Sequence, residues 1–193
     1  MKLPLSYFHN DDVVFLAKDL LGKILFTNID NQITAGIITE TEAYCQSEKG
    51  CHAYNGKRTR RTEIMFQQGG YAYIYLCYGM HYLLNIVTGK KDVAQAVLIR
   101  AIYPTIGISV MLERRHQTKL NKNICKGPAK VAQALGLTKS QNETLLQEQT
   151  IWLQENDYPL SDGLITTSKR IGIDYAGADA DLLWRFNLEY HTL

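Results

Sequence analysis

An alternating run of aromatic and aliphatic residues from 71 to 80 constrains the fold of this chain more than any other stretch. The run reads Tyr-Ala-Tyr-Ile-Tyr-Leu-Cys-Tyr-Gly-Met. Because successive side chains of a strand point to opposite faces, Tyr71, Tyr73, Tyr75 and Cys77 are predicted to share one face. Gly79 then ends the strand in a turn, and the segment 81–87 runs back along it, which predicts a β-hairpin.

Tyr78 and Met80 are predicted to lie at the exposed tip of this hairpin, and two interpretations of the stretch are open. Tyrosine is common in β-rich cores, so the aromatic face is explained by packing alone. Aromatic rings on a strand face beside an apolar tip are also typical of proteins that hold a base and insert a wedge into a duplex.

The distribution of charge favours a polyanionic partner, although the net charge of +2 is too small to indicate one. Five basic residues and no acid lie between 49 and 61, and six basic residues and one acid lie between 113 and 130. From 141 to 163 the sign reverses, with five acids and no base. A chain with two such basic segments is predicted to have a basic side.

Cysteine spacing and hydropathy exclude several classes of protein. Cys45, Cys51, Cys77 and Cys125 form no C-x-x-C pair, so neither a zinc site nor a disulfide framework is predicted, and no metal or cofactor is expected. Reduced thiols indicate a cytoplasmic protein. The first residues are too short an apolar run for a signal peptide, and no run approaches the ~18 apolar residues of a membrane span, so no membrane association is predicted.

Periodicity and capping residues predict one α+β domain over residues 1–193, with a curved, largely antiparallel sheet, peripheral helices and a protruding β-hairpin. Asn10 is the predicted N-cap of the first helix, and Gly127-Pro128 begins the last. Helices are predicted at 10–21, 106–115 and 128–136, and further strands at 23–27, 33–43, 94–102, 151–153 and 182–186. In the strand 33–43, alternation places Ile38 on the same face as Glu40, Glu42 and Tyr44. The segment 45–61 is predicted to be a surface loop.

Glu40 and Glu42 are candidates for acid–base chemistry. Two residues apart on one strand face, they are separated by about 6.6 Å at a rise of ~3.3 Å per residue. Inverting glycosidases place their carboxyl groups roughly 6.5–9.5 Å apart, so a glycoside hydrolase is one hypothesis. Solvated strand charges are the alternative, and a general base in an apolar pocket beside Tyr44 is a third.

Three further polar residues stand in otherwise apolar or basic surroundings. Arg100 lies within the apolar strand 94–102 and needs an anionic partner, because a lone buried charge is too costly. Pairing of Arg100 with Glu40 or Glu42 would be structural if the two groups only formed a salt bridge. It would be catalytic if the arginine and the glutamate together held a water. The side-chain amide of Asn85 either hydrogen-bonds to backbone groups or contacts the edge of a ligand. His52 lies in the basic loop, and its spacing from other residues matches no known motif by itself.

The basic run 57–61 is explained either as a solvated loop or as a phosphate-contacting segment in which Thr59 is an extra donor. The start of the helix at Gly127-Pro128 places free N–H groups beside Lys130, an arrangement that favours anions. Every helix start has such groups, so this signal gains weight only together with the neighbouring lysines, among them Lys139.

The ordered set of these motifs resembles the alkyladenine (3-methyladenine) DNA glycosylases and their bacterial-type members. It spans about 150 residues in the order found in that family. The matching segments are Glu40-Thr41-Glu42-Ala43-Tyr44, His52 with Arg58-Thr59-Arg60-Arg61 and Met65-Phe66, Tyr73 to Met80 through Asn85, Val97 to Ala101, Gly127 to Lys130, Arg170 to Ile173, and Trp184-Arg185-Phe186.

The resemblance implies a base-excision enzyme that hydrolyses the bond between a damaged purine and deoxyribose in double-stranded DNA. Glu42 is implied as the general base that deprotonates the attacking water. Arg100 and the backbone carbonyl of Ile171 are implied as the other groups that hold this water. No lysine follows the hairpin at the position of a Schiff-base nucleophile, so a monofunctional hydrolase without lyase activity is predicted.

The same resemblance assigns the binding residues. The extruded base would stack among Tyr44, His52 and Tyr75, and Asn85 would disfavour the 2-amino group of guanine. Tyr78 would enter the duplex beside Met80, and Thr59, Lys130 and Lys139 would contact the DNA backbone. The implied substrates are alkylated or deaminated purines of the 3-methyladenine, hypoxanthine and etheno-adenine type, acted on by a monomer.

One segment departs from the family pattern. Where the family has Thr-Pro-Arg-Asn after the histidine, this chain has Thr59-Arg60-Arg61-Thr62, which makes the loop less rigid and more basic. A non-catalytic nucleic-acid-binding module with the same fold is the alternative function. The presence of Glu42 together with Arg100 argues against it, because binding DNA alone needs no carboxylate in a groove that holds a polyanion.

Overall fold

The computed structural model describes residues 1–156 and 165–189 of the chain. These residues form an α+β structure built on a curled antiparallel sheet with helices packed against it, which confirms the predicted fold class. The strands are β1 (Ile24–Ile29), β2 (Gln32–Cys45), β3 (Ala72–Cys77), β4 (His81–Val87), β5 (Gln95–Ile106), β6 (Ile151–Gln154), β7 (Ile165–Ser168) and β8 (Arg185–Leu188). The α-helices are α1 (Val13–Asp19), α2 (Ile108–Arg114) and α3 (Pro128–Ala134).

The strand order is β3-β4-β5-β2-β1-β6, and β8 pairs with both β2 and β7. β2 is the longest strand and joins the halves of the sheet. Its first half pairs with β1, its residues Glu40–Glu42 pair with β8, and most of its length pairs with β5. The acidic part of β2 therefore lies between two neighbouring strands.

A β-bulge at Thr39 decides which side of the sheet receives the acidic residues. Between Ile38 and Glu40, β2 contains one more residue than β5, so the side-chain alternation is shifted by one. Ile38 is completely buried in the main core, and the predicted shared face of Ile38 with Glu40 and Glu42 is wrong. Beyond the bulge, Thr41 takes the core side, and its hydroxyl donates to the Ala17 carbonyl at 2.6 Å.

A second irregularity lies opposite the first. Glu40 pairs with Ala101 and the next residue of β2 pairs with Ile99, so Arg100 is one extra residue in β5. Bulges re-aim a side chain out of the regular alternation. Here the result is that the guanidinium of Arg100 reaches both acidic residues of β2.

The helices are shorter than predicted from the sequence. α1 begins after Asp12, whose carboxylate accepts from the Phe15 N–H at 2.9 Å, so Asp12 is the N-cap and the predicted start at Asn10 is wrong. The predicted helix 106–115 begins only at Ile108, because β5 continues to Ile106 and Gly107, with φ of 70°, separates the two elements. α3 begins at Pro128 as predicted.

Two strands near the C-terminus differ from the sequence prediction. β7, with the sequence Ile-Thr-Thr-Ser, was not predicted, because it lacks an alternating apolar pattern. β8 lies at Arg185–Leu188 rather than at 182–186, since its position is set by pairing with Glu40–Glu42 of β2 and with β7.

The hydrophobic residues form two clusters on opposite sides of the hairpin strands. The main core contains Ala72 and Ile74 of β3 and the apolar faces of α1 and α3. The second cluster contains Tyr73 and parts of the segment 45–71, including Cys51, Ala53 and Phe66. Within the segment 45–61, which was predicted to be a surface loop, Cys51 and Ala53 are buried and attach the segment to this second cluster.

Within the described ranges 1–156 and 165–189, no helix combines the length and the apolar character that crossing a bilayer requires.

Candidate functional site

The β3–β4 hairpin carries the predicted exposed tip. Cys77 pairs with His81, and the Met80 N–H donates to the Cys77 carbonyl at 3.1 Å across the turn. Tyr78 and Gly79 both have positive φ, 50° and 69°. Such a conformation suits glycine but strains a tyrosine, and strain of this kind is concentrated at functional sites. Tyr78 is 85% exposed and Met80 is 70% exposed, which confirms the predicted exposed tip.

A cavity of about 600 Å³ lies beside the hairpin, within the size range of small-ligand sites. It brings together most of the predicted site residues, which come from β2, β3, β4, β5, the loop 45–71 and the segment 170–175. The lining includes Tyr44, His52, Arg61, Tyr73, Tyr75, Tyr78, Asn85, Arg100, Pro128, Ala129, Ile171 and Tyr175.

Aromatic rings form one wall of the cavity. The rings of His52 and Tyr75 meet edge to face with centroids 4.7 Å apart, and those of Tyr73 and Tyr75 are 5.4 Å apart. Nδ1 of His52 lies 2.9 Å from the Tyr73 hydroxyl. Burial, and secondly the positive charge of Arg61, lower the pKa of His52 to about 4. His52 is therefore neutral near pH 7 and presents an uncharged flat surface.

The carboxylate of Glu42 is completely buried and does not itself line the cavity, but its partners Tyr44, Arg100 and Ile171 do. Its Oε2 accepts from the Tyr44 hydroxyl at 2.6 Å, and its Oε1 accepts from the Ile171 N–H at 2.8 Å. A carboxylate has about four lone-pair positions, so these bonds leave capacity for a further donor such as a water.

Burial raises the pKa of the Glu42 carboxyl above its ordinary value. Arg100, the Tyr44 hydroxyl and the Ile171 N–H each favour the ionised form, but they only partly offset the loss of solvation. A carboxylate with a raised pKa is a better proton acceptor than an exposed one, and such perturbed groups cluster at catalytic sites.

Arg100 forms the salt bridges that its position in an apolar strand requires. Its Nε donates to Glu40 Oε1 at 2.9 Å and lies 3.4 Å from Glu42 Oε1. Glu40 Oε1 also accepts from Arg185 Nη1 at 3.1 Å. Glu40 is thus held between two arginines and is absent from the cavity lining, whereas Arg100 reaches the cavity.

The remaining predicted residues are divided between the cavity and its surroundings. Asn85 is buried, lines the cavity and donates to the Tyr73 carbonyl at 3.2 Å. Thr59, Lys130 and Lys139 lie outside the cavity lining. Thr59 bonds to Thr62 within its own loop, Lys130 is half-buried on α3 and follows the lining residues Pro128 and Ala129, and Lys139 is exposed.

Sequence reasoning missed a buried ion pair that adjoins the site. The guanidinium of Arg170 faces the carboxylate of Glu48, with Nη2–Oε2 and Nη1–Oε1 distances of 2.8 Å. Arg170 also donates to the Ala43 carbonyl and lies over the ring of Tyr44, 4.8 Å from its centroid. The pair therefore fixes the segment that carries Ile171 against the strand that carries Glu42. The only sequence signal for it was the position of Arg170 within a motif shared with the family.

No group of three or more His, Cys, Asp or Glu side chains within the part of the chain that the structure describes is arranged to hold a metal ion.

Comparison with known proteins gives a consistent result over nearly the whole chain. The family model described as "Methylpurine-DNA glycosylase (MPG)" matches residues 7–192. A relative from Chlamydia abortus named "Putative 3-methyladenine DNA glycosylase" is 50% identical over 188 residues, covering 96% of this chain and 97% of its own length. Relatives with the same name from Natranaerobius thermophilus and Clostridium perfringens are 44% and 41% identical, each covering at least 94% of this chain and 93% of its own length.

Proposed function

Because the chain belongs to the methylpurine-DNA glycosylase family and is a DNA glycosylase, a hydrolase of base-excision repair, we propose that it releases alkylated and deaminated purines from double-stranded DNA. The substrates we propose are 3-methyladenine, hypoxanthine and etheno-adenine. The observation that carries the proposal is the buried Glu42–Arg100 pair, whose Arg100 reaches an aromatic cavity beside the exposed tip of the β3–β4 hairpin. We further propose that residues 1–193 act as one domain and as a monomer. The cytoplasmic location stays a prediction.

The hydrolysis requires an activated water. Glu42 accepts a proton from this water as it attacks the sugar carbon that carries the base, and the base leaves with the electrons of the N-glycosidic bond. Arg100 helps to hold the water and stabilises the ionised form of Glu42, and the backbone carbonyl of Ile171 is the third group at the water. A desolvated carboxylate with a raised pKa supports this assignment.

The target base must leave the duplex before Glu42 can act, since the bond is inaccessible inside the stack. Tyr44, His52 and Tyr75 supply flat surfaces for the extruded base, and their positions around the cavity support this role. Asn85 lies close to where the edge of a purine would enter and disfavours guanine through its 2-amino group.

The exposed tip supplies the side chains that replace the extruded base. Tyr78 fills the gap in the stack, with Met80 beside it, as apolar wedges do in other duplex-distorting proteins. Thr59, Lys130 and Lys139 contact the DNA backbone. Pro128 and Ala129, which precede Lys130 on α3, line the cavity and so support this role for Lys130.

Release of free base from defined duplexes tests the proposed function. Labelled duplexes each carry one hypoxanthine or one etheno-adenine, and randomly methylated duplex DNA supplies 3-methyladenine. We expect free base and abasic sites that break only after alkali, with undamaged duplex as the control. Strand breaks before alkali would contradict the monofunctional mechanism, and tight binding without base release would favour the non-catalytic binding module.

The variant Tyr78→Asn tests the wedge role of Tyr78 without destabilising the turn. Asparagine tolerates positive φ better than tyrosine, so the variant is expected to fold with unchanged or slightly higher stability. Without the wedge, a flipped base is no longer replaced in the stack, and extrusion costs a few kcal/mol. We expect single-turnover base release from duplex DNA to fall about tenfold or more, and release from a single-stranded substrate to change much less. An equal loss on both substrates would contradict the wedge role.

A further inference from the structure

Arg61 belongs to a basic run expected to face solvent or phosphates, but its side chain lies along the cavity wall. Its Nη2 is 2.8 Å from Nε2 of His52, and its Nε donates to the Tyr73 hydroxyl at 3.2 Å. The guanidinium lies over the ring of Tyr75, with its central carbon 4.6 Å from the centroid. All three partners are uncharged aromatic side chains of the cavity wall.

The nearby Arg58 provides a contrast. It pairs with Glu63 and Asp92 and lies over the ring of Phe66, outside the cavity lining. Among residues 1–156 and 165–189, no carboxylate lies within ion-pair distance of Arg61. Arg61 is an exposed residue, but it lines the cavity and its positive charge is not neutralised by a neighbouring acid, so this charge acts on whatever occupies the cavity.

This charge has two effects on the aromatic wall. Together with burial, which is the larger cause, it keeps His52 neutral, since a second positive charge beside the guanidinium is unfavourable. It also already makes the cation–π contact with Tyr75 that a positively charged base would otherwise make. A cationic purine in the cavity therefore meets electrostatic repulsion from Arg61, whereas a neutral damaged purine does not.

We propose that Arg61 is a specificity-determining residue that lowers the preference of the cavity for cationic N-alkylated purines relative to neutral damaged purines. The inference rests on the proposed function and adds a basis for substrate ranking. It also has a chemical rationale. The glycosidic bond of a cationic purine is already weakened by the charge on the base, so release of neutral lesions depends more strongly on binding in the cavity.

Two substitutions at Arg61 separate charge from shape. Arg61→Gln removes the charge and keeps a planar hydrogen-bonding group, whereas Arg61→Lys keeps the charge and loses the planar fork. The measurement is the ratio of two single-turnover rates in the same duplex, one for 7-methylguanine, at slightly acidic pH where it is cationic, and one for hypoxanthine. The 2-amino group of 7-methylguanine meets Asn85 in every variant alike, so the change of this ratio between variants reports on Arg61. We expect Arg61→Gln to raise this ratio about tenfold, as removal of a nearby like charge should, and Arg61→Lys and the matched Arg58→Gln to leave it near the native value.

An unchanged ratio in Arg61→Gln, or an equal change in the Gln and Lys variants, would overturn the inference and leave the proposed function standing. A second measurement does not depend on cleavage: the affinities of native and variant protein for a dimethylguaninium cation and for neutral methylhypoxanthine, by calorimetry. A gain of affinity for the cation alone in Arg61→Gln would support the inference even if the protein released no base from DNA. Absence of base release would overturn only the proposed function. Equal affinity changes for both ligands would overturn the inference.

Discussion

Glu42→Gln is expected to lower single-turnover release of a damaged purine by a factor of about 10²–10⁴, the usual contribution of a positioned general base. The amide keeps the shape of the side chain, and its oxygen can still accept from the Ile171 N–H. It cannot accept a proton from water at neutral pH. Affinity for the damaged duplex is expected to stay close to native, because Glu42 is buried and does not itself line the cavity.

The pH dependence provides a second signature of the same residue. Glu42 acts as a base only when it is ionised, so the rate of the native protein should rise with pH through the pKa of Glu42. This pKa lies above the ~4.3 of an unperturbed glutamate, because burial raises it. Glu42→Gln should remove this rise and leave only residual activity.

Glu113→Gln is the matched control, since Glu113 is an exposed carboxylate on α2 and outside the cavity lining. It should release base at the native rate with the native pH profile. If Glu42→Gln also kept the native rate, the water would have to be activated by another group, and the assignment of Glu42 would be wrong.

The hairpin could be predicted from the sequence because its determinants are local. Alternation in β3 and a glycine at the turn are sufficient to specify two adjacent strands and an exposed tip. The same holds for α3, where Pro128 marks the first turn. The gathering of distant motifs into one cavity was implied only by the resemblance to a known family, because each motif alone is weak.

The placement of the charged residues could not be predicted, because it depends on long-range pairing. The bulges at Thr39 and Arg100 exist only in the register between β2 and β5, and no local pattern marks them. Without the first bulge, period-2 alternation gives the wrong face for Ile38. Likewise, Arg58 and Arg61 have the same local sequence character, but only Arg61 lies against the aromatic wall.

Glu48→Gln is expected to destabilise the protein by about 3–5 kcal/mol, the usual cost of removing one partner of a buried ion pair. The side chains of Arg170 and Glu48 are 0% and 3% exposed, so the buried guanidinium would keep its charge but lose the carboxylate that it contacts directly. Since whole domains are stable by only about 5–15 kcal/mol, this loss is a large fraction of the total. Urea denaturation measures it. The control Asp181→Asn, which breaks the exposed pair of Asp181 with Lys169, should stay close to native.

Replacing both partners of the Arg170–Glu48 ion pair distinguishes its contribution to stability from its role in positioning Ile171. The double variant Glu48→Leu with Arg170→Met has no buried charge, and such replacements are often neutral for stability. It should therefore regain much of the stability lost in Glu48→Gln. It should not regain base release, because Arg170 also contacts Tyr44 and the Ala43 carbonyl and so holds Ile171 near Glu42. Native stability in Glu48→Gln would contradict the energetic argument, and native activity in the double variant would show that Glu42 and Ile171 are positioned without the ion pair.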